Sequence, residues 1–202
     1  MITLYHCPQT RSSRIIWLLE ELGCPYAIKP VTIFRPSTGA GVSDPANPNP
    51  TKQVPAIEDD GRLVTESAAI VLYLTDAFPA AGIGPGIGDP QRGEYLSWLA
   101  WYGAELELTM FAKAAGETEA APMKQRRYET VCRHLLDSLA KGPYLLGDRF
   151  SGADILVASA LGFARKAFPD SEVLDAYAAR CNGRSAAVKA RELDTASGVQ
   201  RA

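Results

Sequence analysis

Three short segments of this chain hold residue types that could bind and activate a small polar ligand. The first, His6-Cys7-Pro8-Gln9-Thr10-Arg11-Ser12-Ser13-Arg14, sets hydroxyls and cations where a β-prone run gives way to a helical stripe. A helix N-terminus presents unpaired N–H groups and partial positive charge, so a thiolate or carboxylate would be stabilised there. A simpler use is equally open: Thr10 or Ser12 caps the helix and the arginines are solvated. The second segment is Val54-Pro55, opening a strand after a proline-rich loop. A cis bond would free the backbone of Val54 to pair with a ligand peptide, whereas a trans proline at a strand edge is the commoner case. The third is Glu66-Ser67, just ahead of another helical stripe. Glu66 could bind an amine while Ser67 and the helix end bind a carboxylate; alone, the pair also reads as a plain N-cap serine. Cys7 is either a low-pKa nucleophile or, more commonly for such a position, a buried strand-end thiol. His6 and His134 have no evident partners in the sequence.

These segments need a framework. Residues 2–6 read as a strand, and Ile15, Leu18, Leu19 and Leu22 recur at helical spacing up to Gly23, a natural helix end. Tyr26 to Ile33 reads as a second strand, giving β-α-β in about thirty residues, one parallel crossover unit. Pro36, Pro45, Pro48 and Pro50 make the next stretch loop. Val54–Glu58 and Arg62–Val64 flank Asp59-Asp60-Gly61, a hairpin signal, and Ile70, Leu72, Tyr73 and Leu74 follow in a helix. Ala80 to Pro90, rich in Gly and Pro, has a linker's composition; it follows a helix and lacks the Lys-Ser/Thr of a phosphate-binding loop.

Beyond residue 90 the pattern is helical throughout. Tyr95, Trp98, Leu99, Tyr102 and Leu106 share one stripe, and Val131, Leu135 and Leu139 another. Ser151, with Asp154 three residues on, reads as a capping box opening a third helix. Two more helices follow, the last beginning near Arg184, and the polar tail from Asp194 is expected to fray.

Composition narrows the class of function. The chain has 202 residues, 47% of them apolar and 22% charged, an ordinary globular balance that can support a core without metal or disulfide staples. Twenty-one Lys and Arg against 23 Asp and Glu give a net charge of −2, which offers no field for nucleic acid or an anionic membrane. The apolar runs are too short for a bilayer and no secretory pattern opens the chain, so a cytoplasmic protein is expected. Cys7, Cys24, Cys132 and Cys181 are scattered with no metal-ligand spacing, so no metal is expected and the thiols read as free.

Taken together and in order, the motifs resemble those of cytosolic glutathione transferases, of the bacterial and fungal serine-type kind. Glu66-Ser67-Ala68-Ala69-Ile70 looks like the family's Glu-Ser-x-Ala-Ile signature, and Asn49-Pro50-Thr51-Lys52-Gln53-Val54-Pro55-Ala56-Ile57 is similar to its Asn-Pro-x-x-x-Val-Pro-x-Leu segment. The run from Arg14 to Gly23 looks like the family's first helix, and Tyr144 to Ile155 like the capped helix of its C-terminal domain. The resemblance covers nearly the whole chain. It implies an N-terminal thioredoxin-like α/β domain over residues 1–78, a linker over 79–90, and an α-helical bundle domain over 91–202.

The resemblance also implies a reaction: glutathione thiolate attacks a small, apolar electrophile. Val54 would pair with the cysteinyl part of glutathione, with Pro55 cis. Gln53 would reach toward the tripeptide, Lys52 would favour its glycine carboxylate, and Glu66 and Ser67 would hold the γ-glutamyl group. Serine-type members place a thiol-activating hydroxyl four residues before the arginine of the first helix, which here is Thr10 before Arg14. Ser12 is the nearby rival, and Tyr5 matches the tyrosine of tyrosine-type members unless strand alternation buries it. Cys7 is displaced from the cysteine-type position, and Arg11 could supply positive potential at the sulfur. Tyr102, Leu106 and Phe111 are available to an electrophile pocket. The family's usual assembly is a homodimer. Glutathione-dependent peroxidase or isomerase chemistry on the same site is the alternative, as is a non-catalytic glutathione-binding or scaffold protein.

Overall fold

The computed structural model describes residues 1–36 and 38–196, which form two units. The first contains β1 (Ile2–His6), α1 (Ser13–Leu22), β2 (Tyr26–Pro30), β3 (Ala56–Asp59), β4 (Arg62–Thr65) and α2 (Ser67–Ala77), together with the last helix, α8 (Ser185–Ala196). Its four strands lie in the order β2-β1-β3-β4. β1 runs parallel to β2, with Ile2 opposite Tyr26, and antiparallel to β3, with Tyr5 opposite Ala56. A β-α-β crossover followed by a hairpin and helix is the thioredoxin-like arrangement. The β3–β4 turn carries Asp60 and Gly61 at φ 47° and 81°, the two left-handed residues that a tight hairpin turn requires.

Being central, β1 buries nearly everything it carries, including His6. β2 stops at Pro30 rather than running to Ile33. Pro30 has no N–H to continue a ladder, yet sits comfortably on this edge strand. Val31 and Ile33 instead turn inward with Tyr5, Val54 and Ala56, and Cys7 packs against that cluster. The helix α1 is buried from Arg14 through Leu19, six consecutive residues, where its sequence stripe predicts one face. The cause is α8, which packs along α1 and ties to it through Lys189 Nζ and Glu20 at 2.6 Å. The last helix therefore belongs with the first unit, although residues 91 onward read as a single helical domain in the sequence. Asp194, expected to lie in a fraying tail, is held inside α8; the expected tail beyond Ala196 lies outside the described residues.

The second unit, Gly82–Arg184, comprises α3 (Arg92–Trp101), α4 (Glu107–Ala114), α5 (Pro122–Leu139), α6 (Gly152–Phe163) and α7 (Glu172–Asn182). A π-helical turn, Tyr102–Leu106, joins α3 to α4. Nine of the first ten residues of α6 are buried, Ser159 being the exception, so this helix is the unit's centre, as an apolar-all-round helix must be. Ser151 and Asp154 form a reciprocal capping box at its start. The Asp154 carboxylate accepts from Ser151 N at 2.8 Å, Ser151 Oγ at 3.0 Å, Leu145 N at 2.9 Å and Tyr177 Oη at 3.0 Å. Burial pushes its pKa up, and these four donors oppose that shift. Tyr102 and Leu106 are core residues of this unit, while Phe111 is exposed.

Candidate functional site

Positive φ marks the chain in or beside all three sequence segments. Of the four non-glycine residues with positive φ among the described residues, Gln9 (55°) and Glu66 (68°) lie in the first and third segments and Lys52 (56°) two residues before Val54; Asp60 serves the hairpin. Such backbone costs about 1–3 kcal/mol per residue and persists where the surroundings enforce it, most often at functional sites.

The β1–α1 loop is knitted by hydroxyls. Ser12 is the N-cap residue of α1, yet its side chain makes no capping bond to the helix. Its Oγ turns inward, 2.8 Å from His6 Nδ1 and 2.8 Å from Thr10 Oγ1, and accepts from Cys7 N at 3.2 Å. Ser12 has no exposed surface, so its hydroxyl is directed to protein partners. Thr10 is half-buried; its hydroxyl donates to Cys7 O at 2.6 Å and accepts from Ser12 N at 3.2 Å. Tyr5 too is engaged within the protein. It is 6% exposed, its hydroxyl donates to Glu58 at 3.0 Å, and burial and that carboxylate both raise its pKa. Tyr5 is buried because β1 is central and covered on both faces, and a phenol with a raised pKa is a poorer proton donor to a thiolate.

The loop has two further supports that sequence reasoning missed. Arg35 Nη2 donates to Pro8 O at 3.1 Å and lies 3.6 Å from Cys7 Sγ. From α8, Asp194 accepts from Ser13 Oγ at 2.5 Å and from Gln9 N at 3.3 Å, and its Oδ1 lies 3.4 Å from His6 Nε2. Burial lowers the His6 pKa more than Asp194 raises it. Local sequence carries no signal for the Ser13–Asp194 bond, which spans 181 positions.

The Val54-Pro55 peptide is cis. Ahead of it, Asn47 and Asn49 are buried, and both side-chain amides donate to Gln53 O, at 3.1 and 3.0 Å. Their own Oδ1 atoms close short turns on Asn49 N and Thr51 N, so Asn-Pro-Asn-Pro is a rigid brace for residue 53. Among the described residues, neither the N–H nor the C=O of Val54 is hydrogen-bonded. Lys52 Nζ donates to Asn47 O at 2.6 Å, so its cation is seated on the loop. Gln53 Nε2 makes only a long 3.5 Å contact with Phe34 O.

At α2, Glu66 is the exposed N-cap residue and offers no side-chain cap. Ser67 is 7% exposed, and its Oγ is one of three buried side-chain polar atoms without a hydrogen-bond partner among the described residues. A buried hydroxyl left unpaired costs about 1–3 kcal/mol. The uncapped first turn, the orphaned hydroxyl and an exposed carboxylate together suit a ligand group bearing both a carboxylate and an ammonium.

Family models for the N-terminal and C-terminal domains of glutathione S-transferase match residues 6–77 and 118–182. The chain is 33% identical over 138 residues to glutathione S-transferase GST-4.5 of Xanthomonas campestris pv. campestris, covering 63% of this chain and 67% of that one. The chain belongs to the glutathione S-transferase family. A sphingomonad glutathione S-transferase solved in complex with glutathione is 29% identical with a TM-score of 0.74, over 96% of this chain and 98% of that one. Rat maleylacetoacetate isomerase is 28% identical over 162 residues, 77% of this chain and 74% of that protein. By contrast, glutathione S-transferase 3 of Schizosaccharomyces pombe matches at 39% over only 74 residues, 29% of its length.

The transferase is of the bacterial type. No helix of the described residues is long and apolar enough to cross a membrane, and none of their His, Cys, Asp or Glu side chains gather into a group of three that could hold a metal ion.

Proposed function

We propose that this transferase adds the thiolate of glutathione to small apolar electrophiles at the first unit's loop cluster. The observation that carries the reading is Ser67: a buried, unpartnered hydroxyl at the uncapped start of α2, beside a strained and exposed Glu66. The γ-glutamyl group has the matching chemistry. Its carboxylate accepts from Ser67 Oγ and the free N–H groups of α2, and its ammonium pairs with Glu66. Next to it, the open N–H and C=O of Val54 pair with the cysteinyl backbone, as a strand edge does. Lys52 and Gln53 stand on the braced loop toward the glycine carboxylate, within reach by leaving their present carbonyl partners.

The sulfur then lies by the β1–α1 loop. A free thiol has a pKa of about 8.5 and is mostly protonated at neutral pH, so the site must favour the anion. Thr10 does so by rotating its proton from Cys7 O to the sulfur, while its oxygen keeps the bond from Ser12 N. Arg11 and the α1 N-terminus add positive potential. The thiolate forms a bond to the electrophilic carbon; a leaving group departs with its electron pair, or an added proton completes the product. Isomerisation through a transient glutathione adduct uses the same site, and the likeness to maleylacetoacetate isomerase supports it as a second reading. The protein works as a homodimer in the cytoplasm, a reading supported by its family and its scattered thiols.

The test is glutathione-dependent turnover of a chloronitrobenzene-type electrophile by wild type, Thr10→Ser and Thr10→Ala. One hydrogen bond to an anion is worth about 1.5–3 kcal/mol, so Thr10→Ala should lose about 10- to 100-fold in kcat while Thr10→Ser retains most of it. Unchanged turnover in Thr10→Ala would show that another group activates the thiol. Retention on immobilised glutathione with no turnover of any electrophile would replace catalysis by binding alone.

A further inference from the structure

We infer that Asp194, on the last helix, is a positioning residue for the thiol-activating loop. This rests on the reading above, that glutathione's sulfur meets Thr10. The carboxylate touches the loop on three sides. It accepts from Gln9 N before Thr10, accepts from Ser13 Oγ after Ser12, and faces the buried His6 of β1 at 3.4 Å. Thr10, Arg11 and Ser12 are therefore bracketed by one group. Gln9 is one of the residues held at positive φ, and its N–H is the atom Asp194 holds.

The position itself is informative. Asp194 lies near the end of the described part of α8, and the hydrogen-bond donors it takes come from α1 and the loop before it. Asp194 supplies the charge that the start of α1 lacks, since Ser12 turns its side chain away from the helix.

The second route runs through His6. Among the described residues Nε2 has no hydrogen-bond partner, and the Asp194 carboxylate beside it favours the tautomer with the proton on Nε2. Nδ1 then accepts from Ser12 Oγ, 2.8 Å away. Ser12 Oγ is then fixed as an acceptor from Cys7 N, and the Thr10 hydroxyl, which donates to Cys7 O in the protein without ligand, is held beside it at 2.8 Å. Asp194 thereby holds the loop backbone on either side of Thr10 and, through His6, the Ser12 hydroxyl beside it, without touching the ligand.

A field effect of Asp194 would have the opposite sign. A negative charge near the sulfur raises the thiol pKa, so removing it would lower that pKa; loss of positioning raises it. The experiment titrates the glutathione thiolate by its near-ultraviolet absorbance, bound to wild type, Asp194→Asn, Asp194→Ala and Asp194→Glu, alongside kcat and KM. Expected is a bound-thiol pKa up by about one unit and kcat down about tenfold at neutral pH in Asn and Ala, KM for glutathione moving less than kcat, and partial recovery in Glu. Asn is nearly isosteric and serves where Ala fails to fold, yet its single oxygen cannot accept for both carboxylate oxygens and its NH2 would face one of the two donors, so it reports on positioning. A bound-thiol pKa that is unchanged or lowered in a folded Asp194→Asn overturns the inference. Failure of the underlying reading is distinct: wild type itself then shows no depressed thiolate pKa, and the inference falls with it.

Discussion

Ser67→Ala is the sharpest perturbation because it moves stability and binding in opposite directions. In the protein without ligand, the Ser67 hydroxyl is buried at 7% exposure with no partner among the described residues. Alanine removes that unpaired group and is also the better helix former. The variant should gain about 1 kcal/mol, the low end of the 1–3 kcal/mol range for an unsatisfied buried polar group. For a chain of 202 residues this is a rise of about 2–4 °C in Tm. With glutathione bound, the same substitution removes a hydrogen bond to a carboxylate worth about 1.5–3 kcal/mol, weakening binding about 10- to 100-fold. At a glutathione concentration of 100 Kd, wild type gains ~2.7 kcal/mol from the ligand. A variant bound about 30-fold more weakly gains only ~0.9 kcal/mol there. The melting order therefore inverts: Ser67→Ala melts higher alone and lower in saturating glutathione. Differential scanning fluorimetry across a glutathione series, with calorimetric Kd values, measures both arms. A variant that melts lower without ligand and binds glutathione as wild type does would refute the argument, because Ser67 would then be an ordinary helix-start residue.

Asp154→Ala should destabilise the protein by about 3–5 kcal/mol, since it strands two backbone N–H groups and the Tyr177 hydroxyl in a buried network; urea denaturation would read this as a lowered midpoint. Tyr5→Phe should leave kcat for the electrophile within about twofold, because the phenol faces Glu58; a larger loss in steady-state kinetics would return Tyr5 to the chemistry. The lowered pKa of His6 sets a sign for acid stability. As pH falls through 6.5 the unfolded chain takes a proton that the folded His6 resists, so stability declines there and is regained on raising the pH. Thermal melts of wild type against His6→Asn should show that limb flattened in the variant.

How much was legible follows the range of the interactions. Gly23 at φ 63°, the Asp60-Gly61 turn and the Ser151–Asp154 box are all decided within a few residues, and each was readable from residue types alone. So was the candidate site's inventory, since Thr10, Val54, Glu66 and Ser67 sit at junctions that periodicity marks. The roles within it were not legible. Thr10 and Ser12 are two hydroxyls two positions apart, and their residue types do not say which turns inward. That choice follows from His6 Nδ1 on the neighbouring strand, which claims Ser12. Tyr5 is likewise buried by Val31, Ile33 and Val54 packed against the central strand, and Glu58 on β3 takes up its hydroxyl.

The sequence by itself determined the element types, the junctions at which polar side chains gather, and, through motif resemblance, the family. It did so because helix and strand periodicity and turn chemistry are properties of neighbours along the chain. Only the tertiary structure decided which of those side chains remain available. It returned α8 to the first unit, buried α1 on more than its own stripe, orphaned Ser67, and carried Asp194 back to residues 6–13. The physical reason is that a hydroxyl's or carboxylate's use depends on what competes for it, and those competitors, His6 within the same turn, Glu58 across the sheet and Asp194 on the last helix, are set by the fold.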